Sequence, residues 1–141
     1  MPSANDVDLV RVFTRTTGST TAETALPFNA AFVIAIEAEA GSAIFAAGAQ
    51  FAVTLVVRDL SDGTFFTATP TGGSNTPNPG ANANLNTIAW PAQIRQFLYT
   101  ITAPGPAKEN HLCDVLASVR AGVTNPDVEF AESPLFIIIR P

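Results

Sequence analysis

The sequence predicts an all-β fold: a two-sheet antiparallel sandwich of about seven to nine strands, with a jelly roll or barrel as the alternative. Three observations predict it. Apolar residues recur with period two in several segments, and no segment holds a sustained helical stripe. Turn chemistry built on Gly, Pro, Asn and Asp interrupts the chain at short intervals. The chain has 141 residues and is 47% hydrophobic, enough for the core of a single domain over 1–141.

The elements follow in order. Residues 7–13 alternate loosely and are expected as a first strand. Residues 14–24 (TRTTGSTTAET) carry few large apolar groups and read as a loop or a weak edge. Over 28–38, Phe28, Ala30, Phe32, Ile34, Ile36 and Ala38 share one face, which predicts a half-buried strand. Gly41 and Gly48 bracket a short segment around Ile44 and Phe45. In 50–58, Phe51, Val53, Leu55 and Val57 alternate with Ala52, Thr54, Val56 and Arg58. The following Asp62-Gly63 supplies the positive φ of a tight hairpin, and 65–69 return as a strand.

Residues 70–87 (PTGGSNTPNPGANANLNT) are polar and rich in Pro, Gly and Asn, and read as a long solvated loop. Ile88, Ala89 and Trp90 form a short apolar patch ended by Pro91. Residues 93–102 alternate with apolar groups on both faces, as in a central strand. In 111–123, Cys113, Val115, Ala117 and Val119 oppose Leu112, Asp114, Leu116 and Ser118. Residues 124–127 read as a turn, and the run 135–139 is almost uniformly apolar. It is expected to be a strand covered on both faces or an edge in need of protection.

The order FAVTLVVRDLSDGT, HLCDVLASVRAG, SPLFIIIRP resembles immunoglobulin-like or fibronectin-III-like bacterial modules. There a long strand ends in an acidic turn, a penultimate strand carries the core, and a Pro-led last strand closes the sheet. The resemblance spans 28–141 and implies a sandwich. It carries over no functional residue, and the Cys…Trp…Cys framework of antibody domains is not present.

Charge excludes some functions. Only 13% of residues are charged, the net charge is −5, Lys108 is the single lysine, and the arginines are scattered. Nucleic acid and anionic membrane surfaces both require clustered cations. Residues 1–10 carry no signal-peptide pattern and no apolar run is long enough to cross a bilayer, which leaves the cytoplasm as the default expectation. One cysteine permits no intrachain disulfide.

Chemistry would have to use His111, the single histidine. His111 and Cys113 are spaced like two zinc ligands on one strand, but a structural site needs four. Asp59, Ser61, Asp62 and Gly63 crowd oxygens into a turn without the calcium-loop spacing. Glu37 and Glu39 share a strand face, as a glycosidase pair would, yet such acids are commonly only solvated. Gly72-Gly73 lacks the lysine of a phosphate loop. The expectation is a non-catalytic protein-interaction or self-assembly module with no metal or cofactor, whose partner is itself or another protein. Leu135, Phe136, Ile137, Ile138 and Ile139 are the expected interface. The alternative is a carbohydrate- or small-ligand-binding module in which Trp90 and Tyr99 stack on the ligand and Asn78, Asn82, Asn84 and Asn86 bond to it.

Overall fold

A computed structural model describes residues 5–71, 76–87, 90, 94–122 and 126–141. The strands are β1 (Val7–Thr16), β2 (Ala25–Pro27), β3 (Phe32–Ala40), β4 (Gln50–Asp59), β5 (Thr64–Phe66), β6 (Thr69–Pro70), β7 (Ala83–Asn84), β8 (Arg95–Ile101), β9 (Leu112–Ala121), β10 (Asp127–Glu132) and β11 (Phe136–Ile139). A single short helix, α1 (Ser42–Ala46), lies among the described residues, with 3₁₀ turns at Leu85–Thr87 and Pro106–Lys108. The strands form two sheets in the order β1-β3-β8-β6 and β2-β11-β9-β4-β5, with β10 also on β9 and β7 on β4. Pairing is antiparallel throughout except between β2 and β11. The fold is a two-sheet sandwich, and neither sheet closes into a barrel.

The alternating faces read from the sequence become the two walls of the core. Phe51, Val53 and Val57 of β4 lie opposite Ala121, Val119 and Val115 of β9, and all are buried. Across the sandwich, Phe32, Ile34, Ile36 and Ala38 of β3 pair with Ile101, Tyr99, Phe97 and Arg95 of β8. Trp90 closes one end, with its ring edge-on to Phe51 and to Phe97 at 5.1 Å in each case. Such aromatic contacts add to the area that the rings bury.

Several expectations change. β3 is buried over its whole run from Phe32 to Ala38, not half-buried, because it lies between β1 and β8 and its outer face is covered too. There, Arg11 lies 4.1 Å over the ring of Phe13 and donates to Glu37, which also accepts from Gln96. The short segment around Ile44 and Phe45 is helical and forms α1, where no helix is expected from the sequence. Gly48 follows this helix at φ +63°, and a Cβ there would lie 2.5 Å from the Asn86 amide. The long polar loop is anchored, not merely solvated: Leu85 is fully buried, and the Tyr99 hydroxyl donates to Pro77 O at 2.9 Å. Residues 72–75, 88–89, 91–93 and 123–125 lie outside the described residues, and with them the expectations for Gly72-Gly73, Ile88, Ala89 and Pro91 and for most of the turn at 124–127.

β10 has no counterpart among the expected elements: of its residues only Asp127 falls in the turn read at 124–127, and 128–131 are assigned to no element. It continues toward β11 through Ser133 and Pro134. Buried Ser133 returns a hydrogen bond in each direction to Val115 of β9, its amide to the carbonyl and its Oγ from the amide. No helix of the described residues is long and apolar enough to cross a membrane.

Replacing Trp90 with Ala is expected to cost about 3–5 kcal/mol, since the cavity stays bounded by two rigid rings. Urea unfolding followed by far-ultraviolet circular dichroism measures it, and Trp90→Phe should recover more than half.

Candidate functional site

The densest polar cluster lies where the β4–β5 hairpin meets the segment entering β9. Asp59 ends β4 with its side chain fully buried. Its Oδ1 accepts from the Ser61 amide at 3.0 Å, which sets the turn. Its Oδ2 accepts from Lys108 Nζ at 2.9 Å and lies 2.7 Å from His111 Nδ1. Asp62 accepts from the Thr64 amide and hydroxyl through Oδ1, and from Lys108 Nζ at 2.7 Å through Oδ2. Lys108 Nζ also donates to Thr64 Oγ1 at 2.9 Å. An ammonium has three N–H donors, and here all three are used.

Electrostatics follow from that geometry. Burial pushes the Asp59 carboxyl up, but hydrogen bonds from His111, Lys108 and the Ser61 amide outweigh it and hold the group below its ordinary range. Hydrogen bonds from Lys108 and Thr64 hold Asp62 well below that range. The bonds to Asp62 and Asp59 raise Lys108. One ligand atom each from Asp59, Asp62 and His111 falls within 4.8 Å of the others, a spacing that suits a metal ion. The ammonium of Lys108 already sits among these oxygens. A divalent ion would have to displace it, so the cluster carries its own cation. Its chemistry is that of a staple: it ties the segment before β9 to the hairpin after β4.

His111 therefore joins Asp59 and Asp62, not Cys113. The Cys113 side chain turns into the core, where burial pushes the thiol up to about 12. Lys108 and Thr64 had no signal in the sequence, because Lys108 meets Asp59 across 49 positions. Glu37 is held by Arg11 and Gln96, both fixing it on the outer face of β3.

The residues expected to hold a ligand are dispersed. Trp90 and Tyr99 are wholly buried, so neither ring offers a stacking surface. Asn82 is exposed and accepts from Arg120 at 3.1 Å, beside a polar notch of about 140 Å³ lined by Gln50, Asn82, Arg120, Gly122 and Pro126. Asn84 pairs with Gln50 in the β7–β4 ladder, Asn78 accepts from the Ala81 amide, and Asn86 packs on Gly48.

The expected interface, Leu135 to Ile139, falls mostly within the sheet. β11 lies between β2 and β9, with Phe136 and Ile138 buried in the core, Ile137 and Ile139 half-buried, and Leu135 exposed. Exposed apolar groups gather instead on the outer face of this larger sheet. Val56 of β4, Phe65 of β5, Leu112 of β9 and Val128 and Phe130 of β10 are all exposed, and Leu116 of β9 lies half-buried among them. A shallow, almost wholly apolar cleft of about 180 Å³ runs between Thr54, Val56, Leu116, Ser118 and Phe130. On the same outer face Arg58 donates to Asp114 through two hydrogen bonds of 2.8 and 2.6 Å, and Arg120 and Glu132 lie opposite Val128 and Leu116.

The two acids of the staple are depressed in the folded chain. Their contribution is complete above the ordinary value of 3.8 and is lost as pH falls through the folded values. That of Lys108, which is raised, is complete below 10.5 and is lost as pH rises through its folded value. Asp59→Ala should cost about 3 kcal/mol at neutral pH, because it removes the shared buried acceptor of the Ser61 amide, Lys108 and His111. It should also flatten the decline of stability below pH 4, measured by urea titrations at stepped pH. Asp62→Ala, at a more exposed position, should cost much less. The Cys113 thiol should resist an aromatic disulfide reagent in the native protein and react fully in urea. Comparison with family models, curated proteins and solved structures finds no match to this chain.

Proposed function

We propose that the chain is a non-catalytic protein-interaction module that docks its partner on the outer face of the larger sheet. The apolar cleft beside Phe130 carries this reading. Phe130 is 67% exposed at the rim of a face whose neighbours Val56, Leu116 and Val128 are also apolar. Scattered exposed apolar groups are ordinary, but a contiguous patch is where proteins dock. The polar cluster supports the same reading, since Asp59, Asp62, Lys108 and Thr64 are occupied with one another.

The sandwich is read here as immunoglobulin-like. The sheet orders β1-β3-β8-β6 and β11-β9-β4-β5 follow the A-B-E-D and G-F-C-C′ arrangement of such domains. His111, two residues before Cys113 at the start of β9, takes the place where a corner tyrosine ties down the preceding loop, and ties it to Asp59 instead.

A photo-reactive p-benzoylphenylalanine in place of Phe130 tests the docking reading in the cells that make the protein. A discrete crosslinked product is expected, and none from the same group at exposed Thr21. Absence of a product at Phe130, or equal products at both positions, overturns the reading.

A further inference from the structure

Resting on that docking reading, we infer that the partner is a second copy of this chain, stacked face to face on the outer side of the larger sheet about a two-fold axis at the level of Phe130. The ladders fix what stands at each level of this face. Glu132 lies opposite Leu116, Phe130 opposite Ser118, and Val128 opposite Arg120. On the other flank of β9, Val56 lies opposite Leu116. One carboxylate therefore stands one level to one side of Phe130, and one guanidinium stands one level to the other side.

Neither of these two charges is spent within the chain. Among the described residues, Glu132 and Arg120 take part in no salt bridge. Arg120 uses its guanidinium on the neutral Asn82 at 3.1 Å, which leaves further N–H donors of its fork available. The other charges of the face close on themselves. Arg58 donates twice to Asp114, whose hydrogen bonds and charge hold the guanidinium above its ordinary value, with the smallest share from Glu132. Asp127 and Glu129 alternate onto the other side of β10, away from this face.

Such a face is complementary to itself. A two-fold axis lying in the face, across the strands at the level of Phe130, exchanges the levels on either side of it. Phe130 of one copy then meets Phe130 of the other, and the apolar cleft of each is covered. Glu132 comes within about one strand spacing, ~4.8 Å, of the place facing Arg120 of the other copy, a gap that the long arginine stem spans. The symmetry forms this pair twice. Arg58 and Arg120 balance Asp114 and Glu132, so the two faces meet without net repulsion. The face extends about 20 Å along the strands and about 20 Å across β5, β4, β9 and β10, so two copies cover on the order of 800 Å² in total, below the ~1,200 Å² of stable complexes. The dimer is accordingly weak and reversible, with a dissociation constant on the order of 100 μM.

Sedimentation velocity of the whole chain, from about 10 μM to about 1 mM, tests it, and a monomer–dimer equilibrium is expected. Phe130→Ser should weaken the dimer about tenfold or more, and Arg120→Glu or Glu132→Arg alone about tenfold, because each reversal sets like charges together twice. Both reversals in one chain should restore the dimer to within about threefold of the original. All three positions are exposed, and circular dichroism confirms that the variants fold. A chain still monomeric at the highest concentration overturns the inference. So does a dimer indifferent to Phe130→Ser or to the single reversals, or one that the combined reversal fails to restore. If the inference falls while benzoylphenylalanine at position 130 still gives a product of other than twice the chain's mass, docking on this face stands with a different protein as occupant. If no product forms there, the docking reading falls as well.

Discussion

β9 pairs with β4 over nine consecutive positions, from Ala121 opposite Phe51 to Cys113 opposite Asp59, and the rest of the molecule is arranged around that ladder. The reason is the period of two. A slip of one residue would turn Cys113, Val115, Ala117 and Val119 of β9 from the core to solvent. A fully buried valine contributes on the order of 1.5–3 kcal/mol and the smaller two less, so a slip costs an amount comparable with a domain's typical net stability. With β4 and β9 locked, β11 and β10 follow on the free side of β9, and β5 on the free side of β4. The second sheet answers with the inward faces of β3 and β8, and Trp90 and Phe97 fill the space against Phe51.

The polar staple is a consequence of the same register. Asp59 is the last residue of β4, and His111 immediately precedes β9, so in-register pairing brings them together at one end of the sheet. A buried carboxylate without partners would be costly there. Two cationic or hydrogen-bonding groups from one segment and two backbone-anchored oxygens from the hairpin satisfy it. The cluster has the donor set of a metal site, but its geometry is better explained as the closure of a loop. Asn110, at φ +66°, makes the sharp bend that turns the chain from Lys108 into β9.

How much of this was legible in the sequence depends on where the information resides. β4 and β9 are legible because large apolar residues recur at every second position, and β8 because aromatic and β-branched residues occupy both of its faces between turn signals. The burial of both faces of β3 was not readable, since Ala35 and Glu37 look like solvent-facing residues until Arg11 and Gln96 cover them. β10 was hidden by its acids: strand propensity disfavours Asp and Glu, and only the ladder to β9 compensates. The five residues of α1 are too few for a period to emerge. The run at 135–139 was correctly seen as apolar, but whether it was an edge depended on β2, a three-residue strand more than a hundred positions earlier. The staple was invisible for a similar reason: its members are ordinary turn and loop residues until tertiary pairing joins them.

The outer face of the larger sheet poses the remaining physical question, because exposing Phe65, Val128 and Phe130 costs free energy that burial elsewhere must offset. A sheet of this kind risks sticking to its own copies. Glu129 points inward on a border strand and Asp127, Asp8 and Asp6 surround it, so like charge accumulates where strands of two copies would meet. Those carboxylates lie on the inward side of β10, away from the apolar cleft beside Phe130. Protection and apolar exposure thus lie on opposite sides of one strand: the acids of its inward side deter pairing at the edge, while Val128 and Phe130 on its outward side leave apolar surface in contact with water.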